Sequence, residues 1–257
     1  MNLGMQVINM DMKDSWAWEF DNNAIMKFDK AEHVKEAANV IGRYADIIAI
    51  RSFPGLKDKE EDYRDKVIRN FIKYCDKPVI NLESSIRHPL QSFADLMTIR
   101  ENCRNKNPKI VLSWAPHPKA LPQAVSNSFL EWMNAAGHSV IVTHPKGYEL
   151  DEEFMTGHRR EYDQQIAFEN ADFVYVKNWS AVNDYGKVLS QDEDWMITLE
   201  SLKKSNNAKL LHCLPVRRNV VISDDAMDSS HSRIYDLAEN RLHTAQAVLF
   251  NILNENS

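Results

Sequence analysis

The chain has 257 residues, 44% hydrophobic and 26% charged with 7 Gly and 9 Pro, which excludes a low-complexity or mainly disordered protein and allows one large α/β unit or two smaller domains. A formal net charge of -6 argues against a broad nucleic-acid footprint but leaves room for a local basic pocket that takes a small anion. Cys75, Cys103 and Cys213 form neither a disulfide framework nor a zinc spacing and suit a reducing cytoplasm; the opening MNLGMQVINM lacks a secretion signal, and no run reaches the roughly 20 apolar residues that span a bilayer.

In chain order, the apolar runs QVINM, ADIIAIRSF and KPVINLE are predicted strands, and AEHVKEAANVIGRY, EDYRDKVIRNFIKYC and PLQSFADLMTIRENC, with apolar residues three and four apart, are predicted helices. The polar segment ENCRNKNPK, residues 101–109, interrupts the series. Pro108 disfavours helix there, so a domain boundary is placed near residue 105. The pattern then resumes with KIVLSWA, the helix LPQAVSNSFLEWMNAAG, and the strands HSVIVTHP, ADFVYVKNW and AKLLHCLP. The run DLAENRLHTAQAVLFNIL predicts a long terminal helix. The fold expected is α/β: two doubly wound parallel-sheet domains, residues 1–105 and 106–235, with residues 236–257 as a helix returning to the first. QVINM enters the first domain without a preceding helix, so that domain is expected to be truncated at its N-terminus.

Open parallel sheets bind ligands beyond the carboxyl ends of their strands. Arg51, Glu83, Lys177, His212 and Cys213 each follow an apolar run and converge on one edge if those runs are strands. Arg51 offers fixed donors to phosphate or carboxylate oxygens, or else is a salt-bridged surface residue. His88 precedes Pro89 and lies three residues before Gln91, so both can face one side of a helix's first turn as donors to a carbonyl oxygen. The bland alternative is a capping histidine. Glu83 suits a substrate ammonium and Lys177 a substrate carboxylate, and each equally suits a solvated surface charge. HCLPVRRN sets Arg217 and Arg218 close behind His212 and Cys213, as an anion pocket requires; Cys213 would act as a nucleophile only with a depressed pKa. His117, His138, His144 and His158 have no compact metal-ligand spacing. Trp16 and Trp18 can cover a pocket or pack at an interface. Neither GxGxxG nor GxxxxGK[ST] occurs, so the usual grips for dinucleotides and nucleoside triphosphates are absent.

Together SFPG after Arg51, NLESSIRHPLQSFADL, VKNW, HCLPVRRN and AENRLH resemble the acylornithine branch of the aspartate/ornithine carbamoyltransferases over nearly the whole chain. The resemblance implies a cytoplasmic homotrimer with active sites between subunits, using carbamoyl phosphate and an N-acylornithine in arginine biosynthesis without a metal or redox cofactor. It implies that Arg51, His88, Gln91 and Arg241 hold carbamoyl phosphate and that Trp16 reaches a neighbouring subunit's pocket. Glu83, Lys177 and the Cys213–Leu214 backbone would surround the acceptor and the reacting carbonyl. In the loop DKAEH, Ala31 stands where acetylornithine-type members have Glu and succinylornithine-type members have Pro. Lack of a negative charge there favours N-succinylornithine, with Lys177, Arg217 and Arg218 as cationic partners; N-acetylornithine is the alternative. The family's Ser-x-Arg-Thr phosphate loop has no counterpart before QVINM. Weak turnover of the 257-residue chain, or a non-catalytic anion-binding homologue, is therefore a second expectation.

Overall fold

The computed structural model describes residues 3–11, 16–103 and 105–255. The strands among the described residues are β1 (Ala17–Glu19), β2 (Lys30–His33), β3 (Ile48–Arg51), β4 (Val79–Glu83), β5 (Ile110–Ser113), β6 (Val140–Thr143), β7 (Arg159–Glu161), β8 (Phe173–Val176) and β9 (Lys209–Leu211). The helices are α1 (Val34–Gly42), α2 (Lys59–Tyr63), α3 (Lys66–Tyr74), α4 (Pro89–Asn102), α5 (Ala124–Ala135), α6 (Glu152–Met155), α7 (Gln164–Phe168), α8 (Asp224–Met227) and α9 (Ile234–Glu255). Strands β1 and β2 form one parallel pair and β3 and β4 another, while β5 to β9 form a five-stranded parallel sheet in the order β7-β6-β5-β8-β9.

Continuous apolar runs are what a sheet covered on both faces demands. Successive residues of β5 go to opposite cores: Ile110 and Leu112 pack with Phe129, Leu130 and Tyr175, whereas Val111 packs with Phe168, Val174 and Leu210. Helix α9 lies along α4, with Asn240 Nδ2 donating to Thr98 Oγ1 at 2.9 Å and to Glu101 Oε2 at 2.7 Å. No helix among the described residues is long and apolar enough to cross a membrane.

Three local expectations are corrected. QVINM is not a strand: Val7 and Ile8 are 87% and 73% exposed, and no strand among the described residues supplies the ladder partner that an extended segment needs. The segment around Ala31 is not a loop but strand β2, paired with β1, so backbone pairing overrides its polar composition. EDYRDKVIRNFIKYC is two helices, because Asp65 turns left-handed at φ 48° and breaks the run. Its carboxylate accepts from Ser84 Oγ at 2.5 Å and from the Ser85 amide at 3.2 Å, which pins the turn between β4 and α4.

Candidate active site

The β3–β4 ladder shifts register between Ile50 and Arg51 and sets Arg51 opposite Glu83. Arg51 Nε and Nη2 both donate to Glu83 Oε2, at 3.1 and 2.8 Å, and the guanidinium carbon lies 4.5 Å from the Phe53 ring centroid. Glu83 is buried, whereas the Arg51 side chain remains 57% exposed and open to a ligand. His88 is the N-cap of α4, with Pro89 in the first helical position. Its side chain makes no capping bond, so the imidazole is left for other work. The His88 amide instead donates to Ser128 Oγ at 2.8 Å.

His88 Nε2 lies 3.7 Å from the same Glu83 oxygen, but this is not an ion pair. Burial, with Arg241, Arg51 and Lys177 nearby, pushes the His88 pKa down to about 3, so a neutral ring faces the site. Its Nδ1 is buried without a hydrogen-bond partner among the described residues. One turn into α4, Gln91 Nε2 donates to Asp95 Oδ1 at 2.9 Å, and both side chains are buried.

The larger sheet supplies the opposite side. Its strand order reverses at β5, and the crevice beyond β5 and β8 is the topological switch point where such sheets bind ligands. Lys177 directly follows β8, and its amide donates to Ser113 O at 3.0 Å. Beyond β9, the His212 ring is buried, and its pKa is pushed down to about 3 by that burial and by Lys177. His212 Nδ1 accepts from the Leu214 amide at 2.9 Å and holds Leu214 at a positive φ of 55°, a conformation that costs a non-glycine residue about 1–3 kcal/mol. Burial raises the Cys213 thiol pKa, the reverse of what a thiolate nucleophile requires.

Lys177 lowers the proton affinity of both His88 and His212, so the sheet-edge residues do share one field. Arg217 Nε donates to His117 Nε2 at 3.1 Å, and His117 Nδ1 lies 3.1 Å from the Lys119 amide and 2.9 Å from Lys119 O. Arg218 is engaged elsewhere, bonding Asp224 at 2.9 Å and Asp228 at 2.8 and 2.6 Å. Trp16 is 59% exposed and donates to Glu32 Oε2 at 2.9 Å beside exposed Ala31. Of the scattered histidines, His158 joins the Val140 amide to Leu130 O, a packing role.

Sequence reasoning passed over Asp95 and Tyr175. Both are fully buried, and burial lifts the Asp95 pKa to about 8 and that of Tyr175 well above the phenol range. The four-residue spacing from Gln91 to Asp95 was the available signal.

Residues 1–101 match the sequence pattern described as aspartate/ornithine carbamoyltransferase, carbamoyl-P binding domain, and residues 122–252 match its Asp/Orn binding domain. The chain is 48% identical over 256 residues to an N-succinylornithine carbamoyltransferase of Bacteroides fragilis, covering 98% of this chain and 80% of the relative. It is 35% identical over 267 residues to an N-acetylornithine carbamoyltransferase of Xanthomonas campestris pv. campestris, covering 96% and 78%. Among solved structures, an N-acetyl-L-ornithine transcarbamylase mutant complexed with carbamyl phosphate and N-succinyl-L-norvaline superposes with a TM-score of 0.88 at 36% identity, over 93% of this chain and 78% of that one.

Proposed function

Because the chain belongs to the aspartate/ornithine carbamoyltransferase family, in its acylornithine branch, we propose that it transfers the carbamoyl group of carbamoyl phosphate to the side-chain amine of N-succinylornithine. The observation that carries this reading is the meeting of Arg51, Glu83 and neutral His88 with Lys177 and the strained Cys213–Leu214 turn.

The neutral amine attacks the carbonyl carbon, the new C–N bond forms, the bond to the phosphate oxygen breaks, and the amine proton leaves with phosphate. A neutral His88 donates one hydrogen bond to the carbonyl oxygen, and Arg51 stabilises the negative charge that builds there and on the leaving phosphate. Gln91 holds the carbamoyl NH2, Arg241 adds positive potential, and Lys177 with the Cys213–Leu214 backbone receives the acceptor. Holding two small reactants at attack distance supplies much of the remaining rate. Cys213, buried with a raised pKa, packs the turn rather than attacking.

Exposed Trp16 and the exposed apolar residues Val7, Ile8, Ile25 and Phe28 support assembly as a homotrimer with shared sites. The halves divide near residue 105, between α4 and β5. The free thiols of Cys75, Cys103 and Cys213 fit a reducing cytoplasm.

The choice of succinyl over acetyl rests on the higher identity to the N-succinylornithine relatives and on Ala31, which puts no carboxylate on the exposed edge of β2. Measuring kcat/KM with both acceptors tests it. The expected result is preference for N-succinylornithine, with a loss of at least about tenfold on Ala31→Glu, since like charges brought together cost on the order of kilocalories. Preference of the parent for N-acetylornithine would overturn the substrate assignment, and an indifferent Ala31→Glu would overturn its electrostatic cause.

A further inference from the structure

Asp95 has no solvent exposure and sits on α4 one turn beyond Gln91. One oxygen, Oδ1, accepts from Gln91 Nε2 at 2.9 Å, while Oδ2 is buried without a hydrogen-bond partner among the described residues. The Tyr175 hydroxyl, also buried and without a well-formed hydrogen bond, lies near enough to both Asp95 and the Cys213 thiol to influence their protons. Leucine or methionine would pack such a position without leaving a polar oxygen orphaned at a cost of about 1–3 kcal/mol. A carboxyl group retained at that cost needs a use.

The use follows from the two unlike ends of an amide. When Asp95 accepts from the Gln91 NH2, Gln91 Oε1 is left as the end that can accept from a ligand. The opposite flip would present NH2 to the NH2 of carbamoyl phosphate, donor against donor. An ionised Asp95 can only accept and so enforces this orientation, and a neutral Asp95 keeps a carbonyl oxygen that accepts in the arrangement observed.

We propose that Asp95 is a positioning residue for the transfer reaction: by fixing the Gln91 amide it presents Gln91 Oε1 to the carbamoyl NH2. This rests on the carbamoyl-transfer reading above.

The test has a kinetic arm and a spectroscopic arm. Asp95→Leu is expected to lower kcat/KM for carbamoyl phosphate by about 10- to 100-fold, the scale of a misplaced contact group. Asp95→Asn, which keeps an acceptor oxygen, is expected to stay within about threefold of the parent. In a Gln91→Ala background the further change Asp95→Leu is expected to alter kcat/KM by less than about twofold, because nothing remains to orient. In protein labelled with 15N at glutamine, the Gln91 side-chain amide is protected from exchange in the parent and in Asp95→Asn. It loses that protection in Asp95→Leu. Equal losses from Asp95→Leu with and without Gln91, or an amide indifferent to Asp95→Leu, would overturn the proposal. A parent that makes no acylcitrulline would instead sink the transfer reading, and the amide signal would still decide the role of Asp95.

Discussion

At the scale of the residue, the site is organised by groups held away from their ordinary protonation. His88 and His212 are driven down to about 3 from 6.5, chiefly by burial, so unfolding takes up protons at both between those pH values. Stability therefore rises with pH through that window. Asp95 behaves oppositely: burial raises it from 3.8 to about 8 against the weaker pull of Gln91, Tyr175 and Arg241, and stability from this group is lost as pH rises through the same span. Between about pH 6.5 and 8 only Asp95 of the three titrates, so the parent is expected to weaken there while Asp95→Asn stays level. Urea midpoints across that range check it, and parallel curves for the two proteins would contradict it.

At the scale of the element, α4 is the hinge of the design. Its first turn carries His88 and Gln91, its middle carries Asp95, and its last turns are clamped to α9 by Asn240 and by Arg233, whose Nε donates to Asn102 Oδ1 at 2.8 Å. Thr98 Oγ1 both donates to Ala94 O at 2.8 Å and receives Asn240 Nδ2, so removing the amide takes a donor from a fully buried hydroxyl. Asn240→Ala is expected to cost about 1–3 kcal/mol, read as a lower denaturant midpoint at an unchanged slope. An unchanged midpoint would show the α4–α9 contact to be held by apolar packing alone.

For the whole molecule, the two sheets meet through the segments that directly follow their site residues. The Asp62 carboxylate, in the stretch after Arg51, accepts from the Gly55 and Leu56 amides at 2.9 and 2.8 Å and from the Tyr185 hydroxyl at 2.9 Å. Tyr185 belongs to the stretch after Lys177. Lys59 reaches Asp151 at 2.9 Å, and Arg87 grips Glu131 with bonds of 2.8 to 3.1 Å. Gly186, at φ 71°, approaches so closely that a Cβ would lie 2.0 Å from Leu56 O. Gly186→Ala is therefore expected to part these segments, lowering stability by about 1–3 kcal/mol and carbamoyl transfer with it. Thermal unfolding together with an activity assay reads both, and a variant equal to the parent in each would show that the contact is not needed to hold the sheets together.

The sequence by itself determined the strands whose apolar runs are buried on both faces, the start of α4 at Pro89, and the positions of Arg51 and Glu83 at strand ends and of Lys177 and Cys213 beyond them, because periodicity and proline geometry are local. Only the tertiary structure decided that QVINM has no ladder partner among the described residues while KAEH and RRE gain one, since a ladder is a relation between distant segments. It alone also decided that Arg218 is spent on Asp224 and Asp228, and that Asp95 and Tyr175 are both fully buried. Burial of a polar side chain depends on what the rest of the chain lays over it, and no spacing within one helix records that.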